Sequence, residues 1–216
     1  MSICTTYKGE PTELEQLTDE WLFARLGVIT ASKFSRCFTP KLAVSNASCD
    51  TLAKELAADA LYKQNNELPD NFQSYAMMRG SALEQEAREN LAFKFPEYKT
   101  SEGGFIQNKK YNLAGSPDLL FSNMDGVVMG AEIKSPLPKK HLEYLMCEGV
   151  PPEHMGQVYL NMIMAGVDKW VFCSYFPGAK MYVHIETLDK EFYKKCIDAW
   201  TKVNDLILHY NKVLGV

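Results

Sequence analysis

The chain has 216 residues, 46% of them hydrophobic and 12% aromatic, and a formal net charge of −4. That is ordinary globular composition with ample apolar mass for a core, so one domain spanning residues 1–216 is expected. The negative balance argues against a nucleic-acid binder that works by overall charge, but not against one with a local basic channel.

The longest apolar runs, such as "YLNMIMAGV" and "WVFCSYF", are too short to span a bilayer. The N-terminus shows no basic stretch followed by an apolar one, so no secretion signal is expected. The cysteines at 4, 37, 49, 147, 173 and 196 have no CxxC spacing, which argues against a zinc site. Reduced thiols in a cytoplasm are the simplest expectation.

In chain order, "TDEWLFARLG" reads as a short helix. Thr18 can cap it, Asp19 and Glu20 suit its positive end, and Gly27 suits its stop. "VITASKFSRCF" follows, with Thr30 or Ser32 opening a second short helix. "CDTLAKELAADALYK" sets Leu52, Leu56 and Ala60 in register, a helix capped by Asp50. "NNELPDNFQS" is a polar loop. "SYAMMRGSALEQEARENLAFKF" is a strong helix, with Gly80, Glu84, Ala87 and Leu91 on one face.

Short strands come next. "GGFIQ" and "YNLAG" read as a hairpin around Asn108, Lys109 and Lys110. "DLLFS" and "VVMGAEIK" are joined by a turn at Met124-Asp125-Gly126. "PLPKKHLEYLMCEG" is broken by proline and then helical, and "PPEHMGQVYLNMIMAG" is a helix from Pro152 to Gly166. Strands "WVFCSYF" and "MYVHIET" turn at Pro177-Gly178. A terminal helix runs from about Asp189 to Asn211, with Phe192, Cys196, Ala199, Val203, Leu206 and Leu208 inward. This order predicts an α/β fold whose mixed central sheet carries helices on both faces.

Two acids sit where apolar residues belong. Glu84 lies on the inward stripe of its helix, and Glu132 lies within an apolar strand. Burying charge is costly unless it is paired or binds a metal. Strand alternation puts Glu132 and Lys134 on one face, about 6.6 Å apart, with Ile133 facing the other way and its carbonyl at the strand edge. If the two strands pair through the turn at Asp125-Gly126, Asp118 lies beside Glu132. Converging carboxylates repel unless a cation lies between them, and an oxygen-rich site suits Mg²⁺ or Mn²⁺ better than zinc. Such a site suits phosphodiester hydrolysis, with Lys134 orienting or deprotonating water or stabilising charge. Glu84 is a candidate third ligand, directly or through water.

"GSPD…GAEIKSP" resembles the Pro-Asp…Glu-x-Lys nuclease superfamily, whose core is that of restriction endonucleases. With "EWLFARLGVITASKF", "RGSALEQEAR" and "GQVYLNMIMAG" in the same order, residues 18–176 resemble the phage lambda exonuclease (YqaJ-like) family. The resemblance implies a restriction-endonuclease-like core and Mg²⁺-dependent 5′→3′ digestion of one strand of linear duplex DNA. It also implies a homotrimer ring around DNA ends and a single-strand annealing recombinase as partner. Asp118 and Glu132 would hold the metal with the Ile133 carbonyl. Lys134 would be the catalytic lysine, with Glu84 and Gln157 completing the site. Arg25, Ser32 and Ser116 would bind the 5′-phosphate. Arg25 has the planar fork for this, and a helix start at Ser32 favours anions. Where some relatives carry a further acid this chain has Asn108, so that position is left out of the catalytic set.

Lys109 and Lys139, in the clusters Lys109-Lys110 and Lys139-Lys140-His141, are candidate DNA-phosphate contacts. Trp21 is a candidate for stacking on an end base, with a core tryptophan of an amphipathic helix as the simpler reading. A same-superfamily endonuclease and a non-catalytic DNA-end adaptor remain as alternatives.

Overall fold

The computed structural model describes residues 6–69 and 75–216. Strand β1 (Glu10–Thr12) precedes helix α1 (Asp19–Ala24), and the short β2 (Ile29–Thr30) runs straight into α2 (Ala31–Phe34). Thr18 caps α1 as expected, its hydroxyl accepting the Trp21 N–H at 3.3 Å. Gly27, at φ +69°, turns the chain toward β2.

Helix α3 (Asn46–Asn65) starts earlier than its apolar register suggests. Ser45 is the cap, accepting from the Ser48 N–H at 3.3 Å, and Asp50 instead lies inside the helix, paired with Lys54 at 2.7 Å. The first turn is polar, so hydrophobic spacing alone could not find it. The loop expected after it lies partly outside the described residues, as do Cys4 and the N-terminal stretch. Helix α4 (Tyr75–Phe93) then leads to β3 (Lys99–Ser101), β4 (Phe105–Asn108), β5 (Leu113–Gly115), β6 (Leu119–Asn123) and β7 (Gly126–Lys134). Helices α5 (Pro138–Leu145) and α6 (Pro152–Ala165) cross to β8 (Lys169–Ser174) and β9 (Tyr182–Thr187), and α7 (Lys190–Leu214) closes the chain. Asp189 caps α7. Its buried stripe continues from Val203 to Ile207, so Leu208 turns outward at 61% exposure rather than inward.

The strands form two sheets, in the orders β1-β4-β5-β2 and β3-β6-β7-β8-β9. Both are mixed. β2 pairs parallel with β5 and β7 parallel with β8, while the other pairs are antiparallel. Both expected hairpins, β4–β5 and β6–β7, are present.

Alternation on the five-stranded sheet builds a core on each face. Ala131, Ile133, Val171 and Cys173 pack with Ala87 and Leu91 of α4. Trp170 and Phe172 pack on the other face with Val158, Tyr159 and Met162 of α6 and with α7. Leu91 is fully buried; truncating such a side chain costs about 2–5 kcal/mol. Glu132, between Ala131 and Ile133, therefore faces α6.

Candidate active site

The β6–β7 ladder ends at Leu119 opposite Ala131. Beyond it the Asp118 N–H donates to the Ala131 carbonyl at 3.1 Å. Pro117 has no N–H to continue the ladder. The Asp118 side chain takes over, its Oδ2 accepting the Ile133 N–H at 2.5 Å. The motif aspartate is thus locked to the strand that carries the motif glutamate.

Glu132 is 2% exposed and bound on both oxygens. Its Oε1 accepts from Lys134 Nζ at 2.5 Å and from Gln157 Nε2 at 2.6 Å. Its Oε2 accepts from Asn161 Nδ2 at 3.1 Å. Gln157 and Asn161 are one turn apart on α6, so they reach the same carboxylate. Gln157 is itself fixed, its backbone N–H donating to Ser35 Oγ at 2.7 Å.

Burial, then the Glu132 charge, pushes the Asp118 carboxyl well above the usual carboxylate range. Burial also raises Glu132, against the pull of Lys134. For Lys134 burial acts downward, but the charges of Glu132 and Asp118 outweigh it and hold the ammonium above its ordinary value. Asp118, Glu132, Ile133 and Lys134 line one cleft of about 330 Å³ together with Gly80 and Glu84 of α4. Glu84 leans toward Arg88 at 3.6 Å.

When its acids are ionised, this cleft holds three carboxylates against one ammonium. Its donors are oxygens, which fits a hard dication. Among the described residues no three His, Cys, Asp or Glu side chains are grouped closely enough to hold a metal by themselves.

The second expected cluster lies nearby. Parallel pairing aligns Thr30 with Ala114, so Ser32 and Ser116 leave β2 and β5 at the same end, the end that leads to Asp118. Arg25 reaches Ser32 Oγ at 3.5 Å and lies over the Trp21 ring, 4.0 Å from its centroid. Burial pulls the Arg25 guanidinium down to about 10. It has no carboxylate partner among the described residues, and Ser116 Oγ is buried without a hydrogen bond. A partly desolvated cation with a hydroxyl beside it and no acid against it among the described residues fits an anionic ligand.

The stacking role considered for Trp21 does not fit its placement. The ring is 8% exposed, packs edge-on to Phe105 and has Arg25 on its face, so a base has no access to it. The Arg25 guanidinium rests on its face. Lys109 follows β4 in the turn to β5, at the opposite end of β5 from Ser116, and is not among the residues lining the acid cleft. Lys139 is exposed on the first turn of α5, just after Ser135 and Pro136 of the cleft wall. Asn108 serves the hairpin. Its amide donates to the Tyr7 and Lys8 carbonyls and accepts from the Tyr111 N–H.

Two features escaped the sequence reading. Asn161 is fully buried, and its signal was a lone amide within "YLNMIM", one turn beyond Gln157. The Tyr144 hydroxyl and His154 Nε2 lie 2.7 Å apart beside the cleft. His154 stacks on Phe172, and burial, then the Lys134 charge, lowers its imidazole to about 3. Nothing in the sequence marked that pair.

The fold and site define an α/β protein of the restriction-endonuclease-like class. The chain is similar over 91% of its length to LHK-Exo in complex with dAMP, at 24% identity and TM-score 0.77, covering 96% of that chain. It is similar over 92% to the alkaline exonuclease LHK-Exo of Laribacter hongkongensis, at 24% identity and TM-score 0.72, covering 98% of it. A phage-related exonuclease from Haemophilus somnus 129PT matches over 87% of this chain and 95% of its own, at 10% identity and TM-score 0.60. None of the curated protein sequences compared matches the chain. The YqaJ-like viral recombinase domain matches residues 20–168, and the chain belongs to that family. No helix of the described residues is long and apolar enough to cross a membrane.

Proposed function

We propose that the protein is a Mg²⁺-dependent nuclease that digests the 5′-ended strand of linear duplex DNA and leaves a 3′ single strand for recombination by annealing. The observation that carries this reading is the cleft in which Asp118 and Glu132 stand against Lys134, with Gln157 fixed on Glu132. That the similar solved structures are exonucleases, one in complex with dAMP, supports it. Asp118, Glu132 and the Ile133 carbonyl would hold the metal, with Glu84 at the rim. Mn²⁺ would substitute. A dication held there would supply polarisation of the scissile phosphate and a more acidic water.

The chain's own groups do the rest. Lys134 reaches Glu132 Oε1 at 2.5 Å and faces the cleft, so its part is to orient or deprotonate the attacking water or to stabilise charge developing on the phosphate. Gln157 and Lys134 fix Oε1 of Glu132. Arg25, Ser32 and Ser116 anchor the 5′-phosphate, which gives the direction of digestion. A ring of three copies, an annealing recombinase as partner and action in the cytoplasm of a bacterial host extend the same reading.

The test is digestion of end-labelled linear duplex beside a covalently closed circle, with and without Mg²⁺. Linear DNA should be shortened only with Mg²⁺, and the circle should survive. Cutting of the circle would replace this reading with an endonuclease, and metal-independent digestion would remove the proposed chemistry.

A further inference from the structure

Asn161 is a fully buried side chain in a run of apolar residues on α6. Its Nδ2 donates to Glu132 Oε2 at 3.1 Å, while its Oδ1 is buried with no hydrogen-bond partner among the described residues. A buried amide with an unsatisfied oxygen is less stable than an apolar side chain of the same shape, unless its donor is needed. The donor here has one target. Space for the amide comes from Gly115, where a Cβ would lie 2.5 Å from Asn161 Oδ1. The backbone of Gly115 is not in the left-handed region. Its missing side chain, not its conformational freedom, is therefore what the site uses.

A carboxylate offers about four lone-pair directions, two on each oxygen. On Glu132, Oε1 receives two donors, Lys134 and Gln157, and Oε2 receives one, Asn161. One direction on Oε2 is left. We infer that Asn161 is a positioning residue that fixes Glu132 to present that one lone pair, and that Gly115 gives Asn161 its room. The inference rests on the metal-dependent reading above. A carboxylate held to one point of contact suits Mg²⁺ and Mn²⁺, which demand regular octahedral geometry. Ca²⁺ instead tolerates two-point carboxylates and irregular shells. Asn161 therefore sets the preference for Mg²⁺ over Ca²⁺ as well as the strength of binding.

The test is calorimetric titration of the full chain, without DNA, with Mg²⁺, Mn²⁺ and Ca²⁺. Loss of a group that orients a ligand costs about 10–100-fold in metal affinity. Asn161→Ala should weaken Mg²⁺ and Mn²⁺ binding by about that factor and leave Ca²⁺ much less affected. Gly115→Ala keeps every side chain of the cluster and should shift the Mg²⁺ to Ca²⁺ ratio the same way. A merely structural role for Asn161 would lower the melting temperature without moving that ratio. Wild-type affinities and ratio in both folded variants would overturn the inference and leave the nuclease reading standing. Failure of the wild-type protein to bind any of the three ions would overturn the metal-dependent reading, and this inference with it.

Discussion

Asp118 Oδ2 accepts the backbone N–H of Ile133 at 2.5 Å, so the motif aspartate completes the sheet at the point where its ladder stops. The residue has two separable jobs. Asp118→Asn keeps an oxygen that can accept the Ile133 N–H but removes the charge. It should fold like the wild type and lose about 10²–10³ in rate, the scale for one preorganised charged group. Asp118→Ala should lose the same activity and also leave a buried N–H unpaired, at about 1–3 kcal/mol. For a chain of this size that lowers the melting temperature by about 2–4 °C per kcal/mol. Thermal melts of the two variants side by side make the comparison. An alanine variant as stable as the asparagine one would mean the hydrogen bond contributes nothing.

Arg25 has a stack beneath it and a hydroxyl beside it, but no acid among the described residues. A hydrogen bond to a charged group contributes about 1.5–3 kcal/mol, which is about 10–100-fold. Arg25→Ala should slow digestion of 5′-phosphorylated ends by that factor and leave dephosphorylated ends unchanged. Arg25→Lys should not restore the rate, because an ammonium lacks both the fork and the flat face that lies on Trp21. Matched substrates differing only in the terminal phosphate give the readout. Equal slowing on both would remove Arg25 from the phosphate pocket.

His154 gives a pH dependence of known sign. Its folded value is lowered to about 3, below the ordinary value of about 6.5. Between these limits the unfolded chain binds a proton that the folded chain does not. Stability from this group is therefore present above about pH 6.5 and is lost as pH falls below it, by at most about 1.4 kcal/mol per pH unit. His154→Gln keeps a polar end toward the Tyr144 hydroxyl and cannot titrate. Urea unfolding at pH 7 and pH 5 should show a smaller loss for the variant than for the wild type. Identical losses would mean that the imidazole is already accessible to protons in the folded chain.

The acid-bearing strand β7 was well marked in the sequence, because its signals are local. Period-two alternation placed Glu132 and Lys134 on one side, and the β6–β7 hairpin brought Asp118 to them. Period-3.6 spacing put Glu84 over the same cleft from α4. The sheet's partition into two was not legible, since the pairings of β1 with β4 and β2 with β5 join distant segments. Asn161 stayed hidden for a related reason. A buried amide is only meaningful once its partner is known, and Glu132 comes from a different element. Trp21 and Lys109 show the opposite limit. Residue type made both plausible DNA contacts, but Trp21 packs against Phe105 and Lys109 lies away from the acid cleft.

The net charge of −4 means DNA phosphates must be met by particular cations rather than by the whole surface. Lys139 is exposed on the turn of α5 that follows the cleft wall, and it has no ion-pair partner among the described residues. Its neighbour Lys140 is occupied by Glu143 at 3.2 Å and Glu153 at 2.7 Å. Each phosphate contact to duplex DNA adds about 0.9 to the slope of log affinity against log salt. Lys139→Ala should therefore reduce that slope by about one for a short duplex end, measured with Ca²⁺ in place of Mg²⁺ to prevent digestion. Lys140→Ala should change it less, because its charge is already compensated. Lys109→Ala should leave it unchanged for a duplex too short to reach the far end of β5. A Lys109 variant that lowers the slope on such a duplex would show that DNA crosses the β2–β5 end of the molecule as well as the cleft.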